Sequence, residues 1–312
     1  MLLRLRPDVL GLVHFNKPSH GLEEGDLVAL VSRDEGITWQ SAGVAAPHAP
    51  GANRMHIASG VDRDGHWVVL STGFQIAQGK MIELEPVWCS TASEPDAPWQ
   101  VRRDVVLRGP LHHPIPHGRI LCTREGNLAA TFYQTDGRGA PSRAWIMFSH
   151  DGGATWADAR EIGDGDANEV VLLPRTGDTW FAAVRTQVDH HVDLFASHDN
   201  AQTWARRCAL TQSMQHPADL TELGGGRVLL TYGLRTSETK GIGARLSRDD
   251  GATWSDPVVV HDFGEARDCG YPSTVVRNDG SLLTACYSDF STLHRGYHLL
   301  LLRWNVADFF PE

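Results

Sequence analysis

The 312-residue chain is short of several things, and each shortage removes a class of function. Cysteine is scarce: Cys89, Cys122, Cys208, Cys269 and Cys286 are odd in number, widely spread and contain no CxxC pair. That spacing speaks against a cysteine-built metal centre and against a complete disulfide framework, so no metal is expected. Most of the five read as small buried apolar residues. Basic charge is in deficit, with 28 Lys+Arg against 38 Asp+Glu and a net charge of -10. Neither nucleic acid nor an anionic membrane is therefore an expected partner, although a local group of arginines can still hold a small anion. No apolar run approaches the ~20 residues of a membrane-spanning helix. The segment Met1–Pro7 is interrupted by Arg4 and Arg6 and reads as a strand, with no signal peptide visible. Together with the free cysteines, this favours a cytoplasmic location over export. Helical periodicity and Pro-rich or charged linkers are also missing, so residues 1–312 are expected to form a single domain.

What the chain does have is glycine (31), proline (16) and tryptophan (10), the composition of short strands and tight turns. An internal repeat organises them. The pattern S-x-D-x-G-x-T-W occurs at Ser32–Trp39, Ser149–Trp156 and Ser247–Trp254, and with Ala201 in place of glycine at Ser197–Trp204. The last three copies start 48 and 50 residues apart, and the first gap, 117 residues, leaves room for two longer units. A degenerate copy, Ser90–Trp99, falls inside that gap. Asp in such a turn accepts hydrogen bonds from its own loop, Gly supplies a positive φ, and Trp plugs the space beside it. In the third copy the positive φ is expected to pass to Asn200.

Between these boxes run apolar hairpins, such as Glu169–Arg185, Asp219–Arg235 and Tyr271–Tyr287, with Asp-Gly or Gly-Gly at several turns. Two inner strands followed by two outer strands joined by the box make a unit of about 50 residues, the size of one propeller blade. Six units start near residues 4, 54, 112, 167, 216 and 268. The expected fold is all-β, a six-bladed β-propeller with four-stranded antiparallel blades. Its ring is expected to close by pairing the N-terminal segment with Gly296–Trp304.

Inner-strand ends in such a fold surround one mouth. The pairs His56/Thr72, His117/Tyr133, Glu169/Arg185, Asp219/Arg235 and Tyr271/Tyr287 recur sixteen residues apart and are expected there. They are nearly all polar, titratable or aromatic, which reads as a site. Arg54 and His216 adjoin the same positions.

At these residues the sequence resembles the sialidase (neuraminidase) superfamily over essentially its whole length, and most of all its BNR/Asp-box repeat, sialidase-like proteins. Asn168-Glu169 with Arg185-Thr186 is similar to the segment that supplies a glutamate and a carboxylate-binding arginine. Gly270-Tyr271-Pro272-Ser273 is similar to the segment with the nucleophilic tyrosine, and Leu230–Arg235 to the blade that holds another arginine. The resemblance implies Tyr271 and Glu169 as catalytic residues. It implies Arg185 and Arg235 as substrate-binding residues, with Arg54, His56, His117, His216, Asp219 and Tyr287 around them. The family's Arg-Ile-Pro segment has only Arg6-Pro7 and Arg54-Met55-His56 in its place, and its acid/base aspartate has no motif-bearing counterpart among Asp26, Asp62 and Asp64.

The implied activity is an exo-acting glycoside hydrolase that releases a terminal acidic sugar, without a cofactor, from a carbohydrate partner; a homo-oligomer is compatible with it. Two other readings stay open. One is a polysaccharide lyase acting on uronates with Tyr271, His117 and Arg185. The other is a non-catalytic carbohydrate-binding propeller, since a fold of this kind does not decide function.

Overall fold

The computed structural model describes residues 1–134 and 141–311. They fall into two compact units, residues 1–170 and 171–312. Both are built from strands, with one four-residue helix, Val306–Phe309, among the described residues.

In the first unit, Leu2–Arg6, Val9–Phe15, Leu27–Ser32 and Gln40–Ala46 form a four-stranded sheet in sequence order. A nine-stranded sheet follows, in which two antiparallel hairpin sets are joined by their first strands. His56–Val61 runs parallel to Ile115–Cys122, with Gly60 opposite Ile120. A β-carbon added to Gly60 would collide with the Ile120 carbonyl, so this join requires glycine. A separate hairpin, Phe74–Ala77 with Lys80–Leu84, leaves the end of Trp67–Thr72.

The second unit contains two four-stranded sheets in sequence order, Val170–Pro174 to Ala205–Ala209 and Gln215–Gly224 to Val258–Asp262. Its last sheet has three strands, Cys269–Val276, Leu282–Phe290 and Arg295–Trp304, where four were expected. The expected pairing of the N-terminal segment with Gly296–Trp304 is replaced by a local one. Leu2–Arg6 instead forms a ladder with Val9–Phe15, its own hairpin partner, which needs no long-range pairing.

Interior strands such as Trp67–Thr72, second in its set, and Val192–Ser197, third in its sheet, are buried at every position. In the first unit Trp67 and Val69 pack with Leu3 and Val13, while Val68 and Leu70 on the opposite face pack with Ile120, Phe132 and Trp156. Outer strands such as Ala205–Ala209 are largely exposed.

The four complete boxes share one hydrogen-bond set. In the first, Ser32 Oγ donates to Asp34 Oδ1 (2.8 Å) and accepts from Gly36 N–H (2.8 Å), while Asp34 accepts from Thr38 N–H (2.9 Å) and Thr38 Oγ1 (2.5 Å). The degenerate copy shows why the aspartate matters. Ala92 stands in its place, and the buried Ser90 hydroxyl has no partner among the described residues. In the third copy the positive φ does not pass wholly to Asn200. Asn200 (56°) and Ala201 (61°) both adopt it, just as Glu35 and Gly36 or Asp250 and Gly251 do. The box imposes two consecutive left-handed residues whatever their identity. Of the box tryptophans, Trp156 is fully buried, whereas Trp39, Trp204 and Trp254 are half-buried.

Candidate functional site

Four of the expected site residues lie in the first unit. His56 begins its strand opposite Thr72, half-buried, with its ring edge-on to Phe74 at 5.5 Å. Burial holds its imidazole down at about 4, against the pull of Glu169 and with added repulsion from His117. His56 is therefore neutral near pH 7, and its buried Nε2 has no hydrogen-bond partner among the described residues. Glu169 is buried at 5% exposure, and its N–H donates to Asn168 Oδ1 (2.6 Å). The Thr131 hydroxyl lies 2.8 Å from the carbonyls of both His117 and Val170, which ties the strand of His117 to the residue following Glu169.

Arg54 lies in the interior. Its guanidinium sits 3.9 Å over the Trp88 ring and donates to the Pro86 carbonyl (2.9 Å), the Ser71 carbonyl (2.5 Å) and the Ser71 hydroxyl (3.1 Å). Burial lowers its pKa to about 9. In this position it braces the strand end next to His56 and does not meet solvent.

The three acid/base candidates separate clearly. Asp62 and Asp64 lie in the hairpin turn after Val61, at the opposite end of the ladder from His56, and Asp62 accepts the turn's own amides. Asp26 lies at the His56 end, beside the Gly25–Asn53 bridge, with Oδ1 2.7 Å from His48 Nδ1.

Six expected residues belong to the second unit, and four of them show where it gathers its polar groups. Arg235 ends its strand. Nε donates to the Cys269 carbonyl (2.7 Å), Nη2 donates to Tyr287 Oη (2.5 Å), and Nη2 lies 3.4 Å from Asp268 Oδ1. The same guanidinium is 5.4 Å from the Tyr271 ring centre and 5.9 Å from that of Tyr287. Tyr271 and Tyr287 are themselves 5.9 Å apart, inclined at 33°. Tyr287 Oη is 3.0 Å from both Asp268 oxygens, and burial drives its pKa well above the usual phenol range despite the attraction of Arg235. Asp219 is buried and accepts Thr274 N–H through Oδ2 (2.7 Å), a link between neighbouring sheets of this unit.

The other two lie at strand ends. Arg185 closes its strand, half-buried, opposite Val192. His216 is buried, with its ring 5.2 Å from that of His190.

Tyr271 has an unusual backbone: φ is 51°, in the left-handed region that β-sheet residues avoid, directly after Gly270 at 129°. Residues sixteen apart do not all face each other directly across their ladders. His56 faces Thr72, but His117 faces Thr131, Asp219 faces Thr231, and Gly270 rather than Tyr271 faces Tyr287.

Asp268 and Tyr297 are central to this cluster and escaped the sequence reading. Tyr297 Oη also donates to Asp268 Oδ2 (3.0 Å), and burial followed by the nearby carboxylate raises its pKa to about 12. The one available signal was the carboxylate two residues before Gly270-Tyr271. A surface groove of about 520 Å³, lined by Asp279, Arg303, Trp304 and Phe309 among others, lies at the hairpin-turn end of the last sheet, away from the tyrosines. The titratable groups converge instead on the arginine–tyrosine cluster.

Comparison with known proteins follows the same line. The family described as BNR repeat-like domain matches residues 68–284. No curated protein sequence matches significantly. Among solved structures, a protein of unknown function from Dyadobacter fermentans superposes with a TM-score of 0.80 at 18% identity, covering 97% of this chain and 93% of that one. Trypanosoma rangeli sialidase superposes with a TM-score of 0.68 at 15% identity, covering 95% of this chain. A variant of the NanB sialidase from Streptococcus pneumoniae gives 0.77 at 11% identity over 99% of this chain. The chain spans 53% and 68% of the length of those two sialidases. These likenesses show a β-propeller-type all-β fold.

Proposed function

The chain belongs to the BNR repeat-like family, and from that premise we propose that it is an exo-acting glycoside hydrolase releasing a terminal acidic sugar such as sialic acid, a related keto-sugar or a uronate. Its strand sets make one six-bladed propeller with a three-stranded last blade, and the ends of the inner strands form the binding face. Tyr271 is the nucleophile, Glu169 accepts its proton, and Arg185 with Arg235 supplies positive charge for the sugar's carboxylate. Asp26, the acid/base candidate at the His56 end of its unit, protonates the departing group.

The observation that carries this reading is the placement of Arg235 against Tyr271 and Tyr287. A free phenol titrates near 10 and attacks poorly at neutral pH. A cation beside the ring favours phenolate as it develops, and a carboxylate base removes the proton. A neutral phenol also approaches an anionic sugar without the repulsion a carboxylate nucleophile would feel, consistent with the departure of tyrosine-using sialidases from the two-carboxylate pattern. The left-handed φ of Tyr271 supports the same assignment, because backbone strain of this kind clusters at working residues.

The test is incubation with aryl glycosides of sialic acid and of uronic acids. Release of the aryl alcohol is expected from at least one, and no release from any by folded protein overturns the reading. A lyase using His117, Tyr271 and Arg185 is the second reading, favoured by the lack of a motif-bearing acid/base aspartate in the sequence. It would give instead an unsaturated product that absorbs in the near ultraviolet. Sugar binding without any product would leave a binding propeller.

A further inference from the structure

We propose that Asp268 is a built-in carboxylate that occupies the anion cradle formed by Arg235, Tyr287 and Tyr297, and thereby determines how far this face responds to a ligand's negative charge. The inference rests on the glycosidase reading only for the kind of ligand.

The geometry is that of a bound carboxylate. Tyr287 Oη reaches both oxygens at 3.0 Å, Tyr297 Oη reaches Oδ2 at 3.0 Å, and Arg235 Nη2 approaches Oδ1 at 3.4 Å. Tyr287 has a single hydroxyl proton. It accepts from Arg235 and donates to Asp268, so the donors run in one direction, from guanidinium to phenol to carboxylate. The three tyrosines stand in a row, with Tyr287 5.9 Å from both Tyr271 and Tyr297. The backbone of Asp268 is fixed as well. Its N–H donates to Asp289 Oδ1 (3.1 Å) and its carbonyl accepts Asp289 N–H (3.0 Å).

Two hydroxyls and a guanidinium on one carboxylate are more than an ion-pair brace requires. Their effect is to cancel the charge of Arg235 locally. A second carboxylate arriving at Arg235 meets the field of Asp268, and at such separations like charges repel appreciably even at an effective dielectric near 20. A ligand's acidic group accordingly draws mainly on Arg185, and Arg235 contributes to it and to the tyrosines only the charge that Asp268 leaves uncancelled. Asp268 is thus a specificity-determining residue that acts through Arg235.

The test has two parts. Wild type and Asp268→Asn, which keeps the shape and an acceptor, are titrated with glucuronate and with glucose. The variant should bind glucuronate more tightly, on the order of tenfold for one like charge removed near a binding cation, with glucose unchanged. Equal changes for both sugars, or no gain for glucuronate, overturn the proposal. Independently, Asp268→Ala is melted in sodium formate and in sodium chloride of equal ionic strength. Formate should refill the cradle and raise the variant's Tm but not that of wild type; identical shifts in the two proteins overturn the proposal. Should the variant fold poorly, recovery on refolding in formate but not in chloride supports the cradle, and no recovery counts against it. If neither protein binds either sugar, the uronate form of the glycosidase reading fails, and the formate result alone decides the role of Asp268.

Discussion

Gly60 and Ile120 oppose each other across the parallel ladder between His56–Val61 and Ile115–Cys122, with no space for a β-carbon between them. That ladder holds the strands of His56 and His117 side by side. Gly60→Ala should therefore destabilise the protein by about 1–3 kcal/mol, as overpacking in a fixed core does. Denaturant titration of the variant checks it; an unchanged midpoint would mean that the two strands separate freely.

Trp156 is the one box tryptophan buried completely, edge-on to Phe132 at 5.6 Å, with its indole N–H on the Gly153 carbonyl (3.2 Å). Trp156→Ala should cost roughly 3–5 kcal/mol and leave substrate preference untouched. Calorimetry together with kinetics reads both quantities. A change of preference at unchanged stability would place the box in the site.

The box aspartates link stability to pH. Hydrogen bonds from the Thr38 hydroxyl and amide hold Asp34 at about 2, below its ordinary 3.8, and Asp199 and Asp249 move in the same direction for the same cause. A depressed carboxylate stabilises the fold above its unfolded pKa, and that contribution disappears as pH falls through the folded value. Tm should decline between about pH 4 and pH 2, and Asp34→Asn should flatten part of the decline. A variant profile parallel to wild type over that range would remove Asp34 from the account.

His56 should remain unprotonated well below the usual histidine range, because its folded pKa is about 4. The sign is that of a group with a lowered pKa: the fold loses stability as pH drops from 6.5 toward 4, where the unfolded chain takes up the proton first. Histidine ring resonances followed by NMR provide the check, and a His56 midpoint above pH 6 would show that its surroundings are wet.

Tyr271→Phe and Arg185→Ala should fail differently. The first removes only a hydroxyl, so an acidic sugar should still bind while turnover collapses. The second removes a bidentate partner whose charge-assisted hydrogen bonds are about twice as strong as neutral ones. Binding and turnover should then both fall, and an acidic ligand should lose more than a neutral analogue. Equal losses for the two ligands would reduce Arg185 to a strand brace.

The box turns were legible because every interaction in them spans at most four residues, as from Ser247 to Gly251 or Asp249 to Thr253. The hairpins were legible from their alternating apolar runs and short Asp-Gly or Gly-Gly turns. Asp268 was not: its partners Tyr287 and Tyr297 lie nineteen and twenty-nine residues away and reach it only through strand register. The regular sixteen-residue spacing likewise did not reveal which residues face each other, since bulges such as the one between His117 and Leu121 shift the register. Arg54 looked like a rim cation because charge usually means exposure, and nothing local announces that Trp88, Pro86 and Ser71 enclose it.

The left-handed backbone at Tyr271 has an evolutionary consequence. Holding a bulky residue at such a φ costs of order 1–3 kcal/mol, and glycine or asparagine would meet that demand more easily. Selection for a stable fold alone would steadily replace this tyrosine. Tyr271→Asn should thus give a protein that melts later than its parent and, if the phenol is the nucleophile, does nothing: a position where durability and activity pull the sequence in opposite directions.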